Sequence, residues 1–188
     1  MNPRIVIVSE DLVAPWDEGI KKFAFSIGRA LAVDHPVRVV NVDRAGVVFG
    51  RHARASRAAV ESANGDRAAE RAIRDVPGTR TFIQPALRHE ITSFLPEAVV
   101  YVPSPSSTVA SFLRAYALHR HWPRARVGMV ALIPRRHPAR LRVLLGATAP
   151  DVVFVPSYAS LLHLSNLSLR GELLPVGVDP GQFRPAGP

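Results

Sequence analysis

Residues 4–42 read RIVIVSEDLVAPWDEGIKKFAFSIGRALAVDHPVRVVNV, and this stretch decides the fold. Its first five residues, Arg4 to Val8, read RIVIV, with a continuous β-branched run after the arginine, the pattern of a strand buried on both faces of a parallel sheet. From Asp17 to Leu31 the period changes. Ile20, Phe23, Ala24, Ile27 and Leu31 fall at i, i+3, i+4, i+7 and i+11, one apolar stripe along a helix. Asp17 can accept a backbone N–H in the first turn and so begin it. Val37 to Val42 is again a strand. Strand, helix and strand in this order make a βαβ unit, whose right-handed crossover sets two parallel strands in one sheet.

The alternation continues outward from this unit. A weak strand is expected at Thr79 to Ile83, then a helix opened by Pro85 and carrying Leu87, Ile91, Phe94 and Leu95. The strand Ala98 to Val102 is followed by a helix capped by Ser106 and striped by Val109, Phe112, Leu113 and Tyr116. Next come the strand Arg126 to Ile133, a helix with Leu141, Leu144 and Leu145, and the strand Asp151 to Val155. Ser157 caps a Leu-rich helix through Leu167, and a last strand covers Glu172 to Val176. About seven strands with intervening helices predict an α/β fold, a Rossmann-like doubly wound parallel sheet in three α/β/α layers. Residues 51–74 differ, being rich in Ala and Arg, with Asn64-Gly65 splitting them into two short helices or a helix and a loop. Gly177 to Pro188 carry no apolar period and read as a linker, so residues 1–176 are expected to be one domain and 177–188 the start of a hinge.

With 188 residues, 47% of them apolar and 21% charged, the chain can bury the core of one domain. No apolar run is long enough to cross a bilayer, and the opening MNPRIVIVSEDL is too brief for a signal peptide. The absence of cysteine excludes disulfides, zinc–thiolate sites and thiol catalysis. A cytoplasmic location is the default expectation. The net charge is +9, and since Lys21 and Lys22 are the two lysines, it is carried by arginine. A GC-rich genome writes arginine without selection. The other reading is attraction to anions, whether phosphates, nucleic acid or an acidic membrane face.

Ligands of open α/β sheets bind at the carboxyl ends of the strands. The first such loop is SEDLVAPWDEG, Ser9 to Gly19, which runs into a helix N-terminus suited to phosphate. Gly19 would let a ligand approach the backbone, or it packs the helix closely. Neither GxGxxG nor a Walker A loop is present. Trp16 either stacks on a sugar ring or clamps the loop to the sheet. After Val102 the loop PSPSS presents Ser104, Ser106 and Ser107, of which at least one caps the next helix. After Ile133 the loop PRRHP presents Arg135, Arg136 and His137, suited to an anion or else a solvated basic turn. His137 can titrate near neutrality and act as an acid or base. No Asp-x-Asp or His-x-His metal pattern and no GxSxG elbow occurs, so no metal is expected and an autonomous enzyme is under-equipped.

Three stretches resemble the retaining, family-four (group 1) glycosyltransferases of the GT-B fold. PWDEGIKKFAFSIGRALA, residues 15–32, is similar to that family's Gly-rich loop and first helix. DVVFVPSYASLLHL, residues 151–164, is similar to its strand, Pro-Ser turn and helix. LLPVGVDPGQFRP, residues 173–185, resembles its Ile-Pro-Asn-Gly-Val-Asp hinge and Phe-x-Pro. The resemblance implies two facing Rossmann-like domains, the N-terminal one holding the acceptor and the C-terminal one binding the nucleotide-sugar donor with a Glu-x7-Glu signature. That second domain is absent from these residues and is expected in cis or as a separate subunit, leaving the isolated chain inactive. Glu18, Gly19 and Lys22 would then face the donor phosphates, and Trp16, Asp17, Ser104, Ser106, Arg135 and Arg136 the acceptor, with His137 a catalytic candidate. No cofactor beyond the donor is implied. Glu18-Gly19 stands where the family has two glycines, Ile133-Pro134 where it has a His-Asp pair, and Val176 where the hinge has Asn.

Two other functions compete. A basic nucleic-acid- or phosphate-binding module without activity would use the same charge, but aromatic residues are not interleaved with the basic ones for stacking. A flavodoxin-like or response-regulator-like domain would need acids at the strand ends, and Glu10 and Asp11 lack a downstream partner Asp. Nucleic acid is therefore not expected as a partner. Arg51, Arg54 and Arg57, and Arg67, Arg71 and Arg74, are expected to share helix faces. They would form either a solvated face or an electrostatic contact with an anionic membrane, peripheral at its inner face and useful for a lipid-linked acceptor.

Overall fold

A computed structural model of the chain describes residues 2–10, 19–42, 73–76, 82–104, 107–133 and 135–174, with backbone alone for 19–22 and 73–76. The elements in order are β1 (Ile5–Glu10), α1 (Gly19–Leu31), β2 (Val37–Val42), β3 (Ile73–Val76), α2 (Pro85–Phe94), β4 (Ala98–Val102), α3 (Val109–His121), β5 (Arg126–Val130), a 3-10 turn (Ala139–Leu141) leading into α4 (Arg142–Ala147), β6 (Val152–Val155), α5 (Tyr158–Asn166) and β7 (Gly171–Leu173). The strands form one sheet, parallel throughout, in the order β3-β2-β1-β4-β5-β6-β7. This is the Rossmann-like doubly wound arrangement, in which the direction of winding reverses between β1 and β4.

Alternate residues of each strand serve different layers. Val6 and Val8 of β1, Val99 and Tyr101 of β4, and Val127 and Met129 of β5 join Leu87, Ile91, Phe112, Leu118, Leu145 and Leu164 in a core beneath α2, α3, α4 and α5. Ile5 and Ile7 face the other way, onto Ala24, Phe23, Ile27 and Leu31 of α1. Phe23, Ala24, Ile27 and Leu31 of the α1 stripe therefore pack as their spacing predicts, with Ala24 fully buried, while the Ile20 side chain lies outside the description. Gly28 lets this helix lie close, since a Cβ there would sit 3.1 Å from Val39 Cγ2 and 3.4 Å from Ile7 Cδ1. Pro85 opens α2 as expected, its missing N–H costing nothing in the first turn. Ser157 caps α5 by accepting from the Ser160 N–H.

Several expectations are corrected. A third strand lies at Ile73–Val76, overlapping the end of the Ala- and Arg-rich stretch 51–74; of the strand expected at Thr79 to Ile83, Phe82 and Ile83 occupy a bend and residues 79–81 lie outside the described residues. Arg74 thus belongs to a strand and shares no helix face with Arg67 and Arg71; residues 51–72 lie outside the described residues. Leu95 is not on the α2 stripe but caps its end in the left-handed region at φ 51, exposed to solvent. On α3 the buried stripe is Ser111, Phe112, Ala115 and Leu118, leaving Leu113 and Tyr116 exposed. Its cap is Thr108, whose side chain and that of Ser111 each bond the other's backbone N–H in a capping box. Leu144 of α4 is also exposed. The linker at 177–188 and the hinge motif beyond Leu174 lie outside the described residues.

Candidate functional site

Open α/β sheets take their ligands in a crevice at the carboxyl ends of the two strands where the order reverses, here β1 and β4, whose connections leave on opposite faces. β1 ends in Glu10, whose parity with Val6 and Val8 turns it beneath α2 and α3 rather than into solvent. Its side chain is 1% exposed. Its Oε1 accepts a hydrogen bond from the Tyr101 hydroxyl and one of 2.8 Å from Arg114 Nη1 on α3. The Arg114 guanidinium also lies over the Phe82 ring, 5.7 Å from its centroid, and Phe82 meets Tyr101 edge-on at 5.6 Å. Burial pushes the Tyr101 hydroxyl well above its ordinary pKa, and the Glu10 charge acts in the same direction while Arg114 opposes it. Tyr101 is therefore a fixed donor. This triad forms a charge-compensated floor to the crevice and ties β1, β4 and α3 together.

The rim is built from the next two loops. Ser104, directly past β4, is buried, and Ser107 is 3% exposed. The Ser107 N–H donates to the Ile133 carbonyl at 3.3 Å, its hydroxyl donates to the same carbonyl at 3.4 Å, and its Oγ accepts from the Arg135 N–H at 3.3 Å. One serine therefore stitches the loop after β4 to the loop after β5. The His137 backbone N–H donates to His163 Nε2 on α5 at 3.1 Å. The His137 ring stands edge-on to Phe112 of α3 at 5.7 Å, and its own Nε2 is enclosed with no hydrogen-bond partner. Burial first, then the neighbouring His163 and Arg135 charges, hold the His137 pKa below its ordinary value, against a hydrogen bond to the Ser107 backbone. Protonation of the imidazole is thereby disfavoured.

Of the residues singled out from sequence, Ser104, Arg135, Arg136 and His137 are placed by the strands they follow at the carboxyl edge, the two arginines exposed and His137 half-buried. Gly19 is the first residue of α1, at the same edge, and Lys22 lies one turn into that helix. Trp16, Asp17, Glu18 and Ser106 lie outside the described residues. Sequence reasoning missed Tyr101 and Arg114, and noticed Glu10 only for lacking a partner Asp. A signal existed for Arg114: it falls at i+3 from Ser111 on the buried stripe of α3, where a cation requires a partner. Ser9 and Asn41, side by side in the sheet on its α1 side, are also buried at this edge.

Two surface concavities lie elsewhere. One of about 470 Å³ is a shallow depression over α2 beside Arg88 and His89. The other, about 280 Å³, runs over the α1-side face of β4 to β7 between Val100, Gly128 and Phe154. Neither holds the polar groups that converge at the carboxyl edge, so we place the candidate site there. Among the described residues, no three His, Asp or Glu side chains gather as a metal would need. No protein-family model matches this chain, and no curated protein matches it either.

Proposed function

We propose that the chain is the N-terminal, acceptor-side domain of a two-domain, retaining GT-B glycosyltransferase, which moves a sugar from a nucleotide-sugar to an acceptor. The observation that carries this reading is the join between fold and motif. β7 delivers the chain to the carboxyl edge at Leu173, and LLPVGVDPGQFRP begins at that residue. A second domain attached there would face the crevice between β1 and β4. The acceptor would lie over Ser104 and the Arg135–Arg136 loop, whose fixed positive charge suits an acceptor bearing phosphate. The Glu10–Tyr101–Arg114 floor would hold the two walls in register without touching substrate. The N-terminus of α1 at Gly19 would approach the donor phosphates, with the nucleotide held by the second domain.

The test is sugar transfer from labelled nucleotide-sugars by the purified 188-residue chain, and by the same chain joined in cis or in trans to a Glu-x7-Glu domain. Transfer is expected only in the second case. In that active form Gly19→Val should cut transfer by at least tenfold, equivalent to about 1.4 kcal/mol of lost stabilisation, with thermal stability unchanged. Turnover by the 188 residues alone, with contaminants excluded, overturns the half-enzyme reading. Full activity in Gly19→Val removes that residue from the site.

A further inference from the structure

The positive charge of this chain is segregated. From Ala98 through Pro150 there are eight arginines and no carboxylate, so this stretch alone carries +8 of the net +9. A genome-wide preference for arginine does not account for this, because it leaves acids where they are. The other 135 residues hold all fifteen of them. Four of the eight arginines, Arg135, Arg136, Arg140 and Arg142, crowd between β5 and the start of α4, and all four are exposed.

Large apolar side chains stand exposed among them: Ile133 is 53% exposed, Val143 83%, Tyr158 75% and Leu162 65%. Hydrogen bonds and ring contacts make these one surface. The loop holding the arginines is pinned on one side to α3, through His137 against Phe112, and on the other to α5, through the His137 N–H and His163. Arg142 donates to Ser168, just past α5. Leu162 immediately precedes His163, and Tyr158, four residues before Leu162, shares its helix face. The single carboxylate between Ala98 and Gly171 is Asp151, which accepts from the Val127 N–H at the start of β5.

We propose that this face, the loop from Ile133 to Leu144 with the outer side of α5, docks the protein on an anionic lipid surface. Arginines supply attraction to phosphate headgroups, and the aliphatic side chains between them enter the headgroup–acyl boundary. A nucleic acid would use the same cations, but of the four exposed apolar side chains Tyr158 alone offers a ring for a base to stack on, and Ile133, Val143 and Leu162 do not. The surface is distinct from the arginines at 51–57. It does not rest on the glycosyl-transfer reading, and its test measures no transfer.

The experiment is co-sedimentation of the full chain with vesicles of phosphatidylcholine, alone or mixed with phosphatidylglycerol, at low salt and at about 0.15 M. Binding is expected to the mixed vesicles only. Arg136→Gln/Arg140→Gln should weaken it by roughly tenfold or more, whereas Arg51→Gln/Arg54→Gln/Arg57→Gln should weaken it less. Val143→Ser/Leu162→Ser should retain low-salt binding and lose what persists at the higher salt. The variants at Arg136, Arg140, Val143 and Leu162 should melt like the parent, since these residues are exposed. Equal retention on neutral vesicles, no retention at all, a larger loss from the 51–57 set, or tighter binding to a single-stranded oligonucleotide than to vesicles overturns the proposal.

Discussion

Replacing Arg114 by leucine tests whether the floor of the crevice is held by charge compensation. The substitution removes the cation 2.8 Å from Glu10 Oε1 and leaves a carboxylate that is 1% exposed with the Tyr101 hydroxyl. Breaking a buried pair from one side costs about 3–5 kcal/mol, most of it the penalty of the charge left behind. Glu10→Gln is expected to cost less, about 1–2 kcal/mol. Arg114 is 14% exposed and can turn toward water, and the amide oxygen that replaces the carboxylate still accepts from Tyr101. The double variant should then be more stable than Arg114→Leu alone, giving a coupling energy of about 2 kcal/mol. Urea unfolding at neutral pH measures all three. With a slope of about 2 kcal/mol/M, a loss of about 4 kcal/mol moves the midpoint by about 2 M. If Arg114→Leu costs under about 1 kcal/mol, or the two single losses simply add, Glu10 is compensated by something other than this pair and the reasoning fails.

Two further outcomes follow from packing and titration. Gly28→Val should destabilise the fold by about 1–3 kcal/mol, because branched methyls would press α1 away from Val39 and Ile7; calorimetric melting that matched the parent would show that the helix can shift freely. His137 has its folded pKa depressed below the ordinary 6.5, so the unfolded chain takes up its proton first. Its contribution to stability is full above that value and is lost as pH falls from 6.5 through the folded pKa. His137→Leu should flatten the fall in Tm between neutral and mildly acidic buffer, and parallel curves for parent and variant would contradict this.

The central βαβ unit was legible because its signals are local. The continuous run in β1 and the stripe of α1 each lie within a short stretch of chain, and the structure pairs and packs them accordingly. The third strand was not legible. Thr79 to Ile83 has the better strand composition, yet Phe82 reaches the core from a bend, and the charged IRDV run at Ile73–Val76 makes the edge instead. At an edge, short length and charge are tolerated, so composition misleads. On α3 the apolar Leu113 and Tyr116 look like core, but the helix turns Ala115 and Leu118 inward. The carboxyl-edge loops could be anticipated once the strands were known. The Glu10–Tyr101–Arg114 triad could not, for Tyr101 and Arg114 lie 91 and 104 residues from Glu10 and reach it only because β4 returns to lie beside β1.

Among the described residues β3 and β7 bound the sheet, with a consequence for how copies of this protein can meet. β3 and β7 span four and three residues, against five or six for β1, β2, β4 and β5. β3 contains Arg74 and Asp75, and β7 places Glu172 across from Arg170 in an exposed ion pair of 3.5 Å. A short margin studded with charge is a poor template for another strand, since few backbone groups are offered and each approach must strip water from ions. Extension of the sheet from one molecule into the next, the route by which parallel sheets grow into fibrils, is disfavoured at both of these strands. Among the described elements, association is then left to helices and loops, so the molecule can be adhesive on its surfaces without being adhesive along its hydrogen-bonding direction.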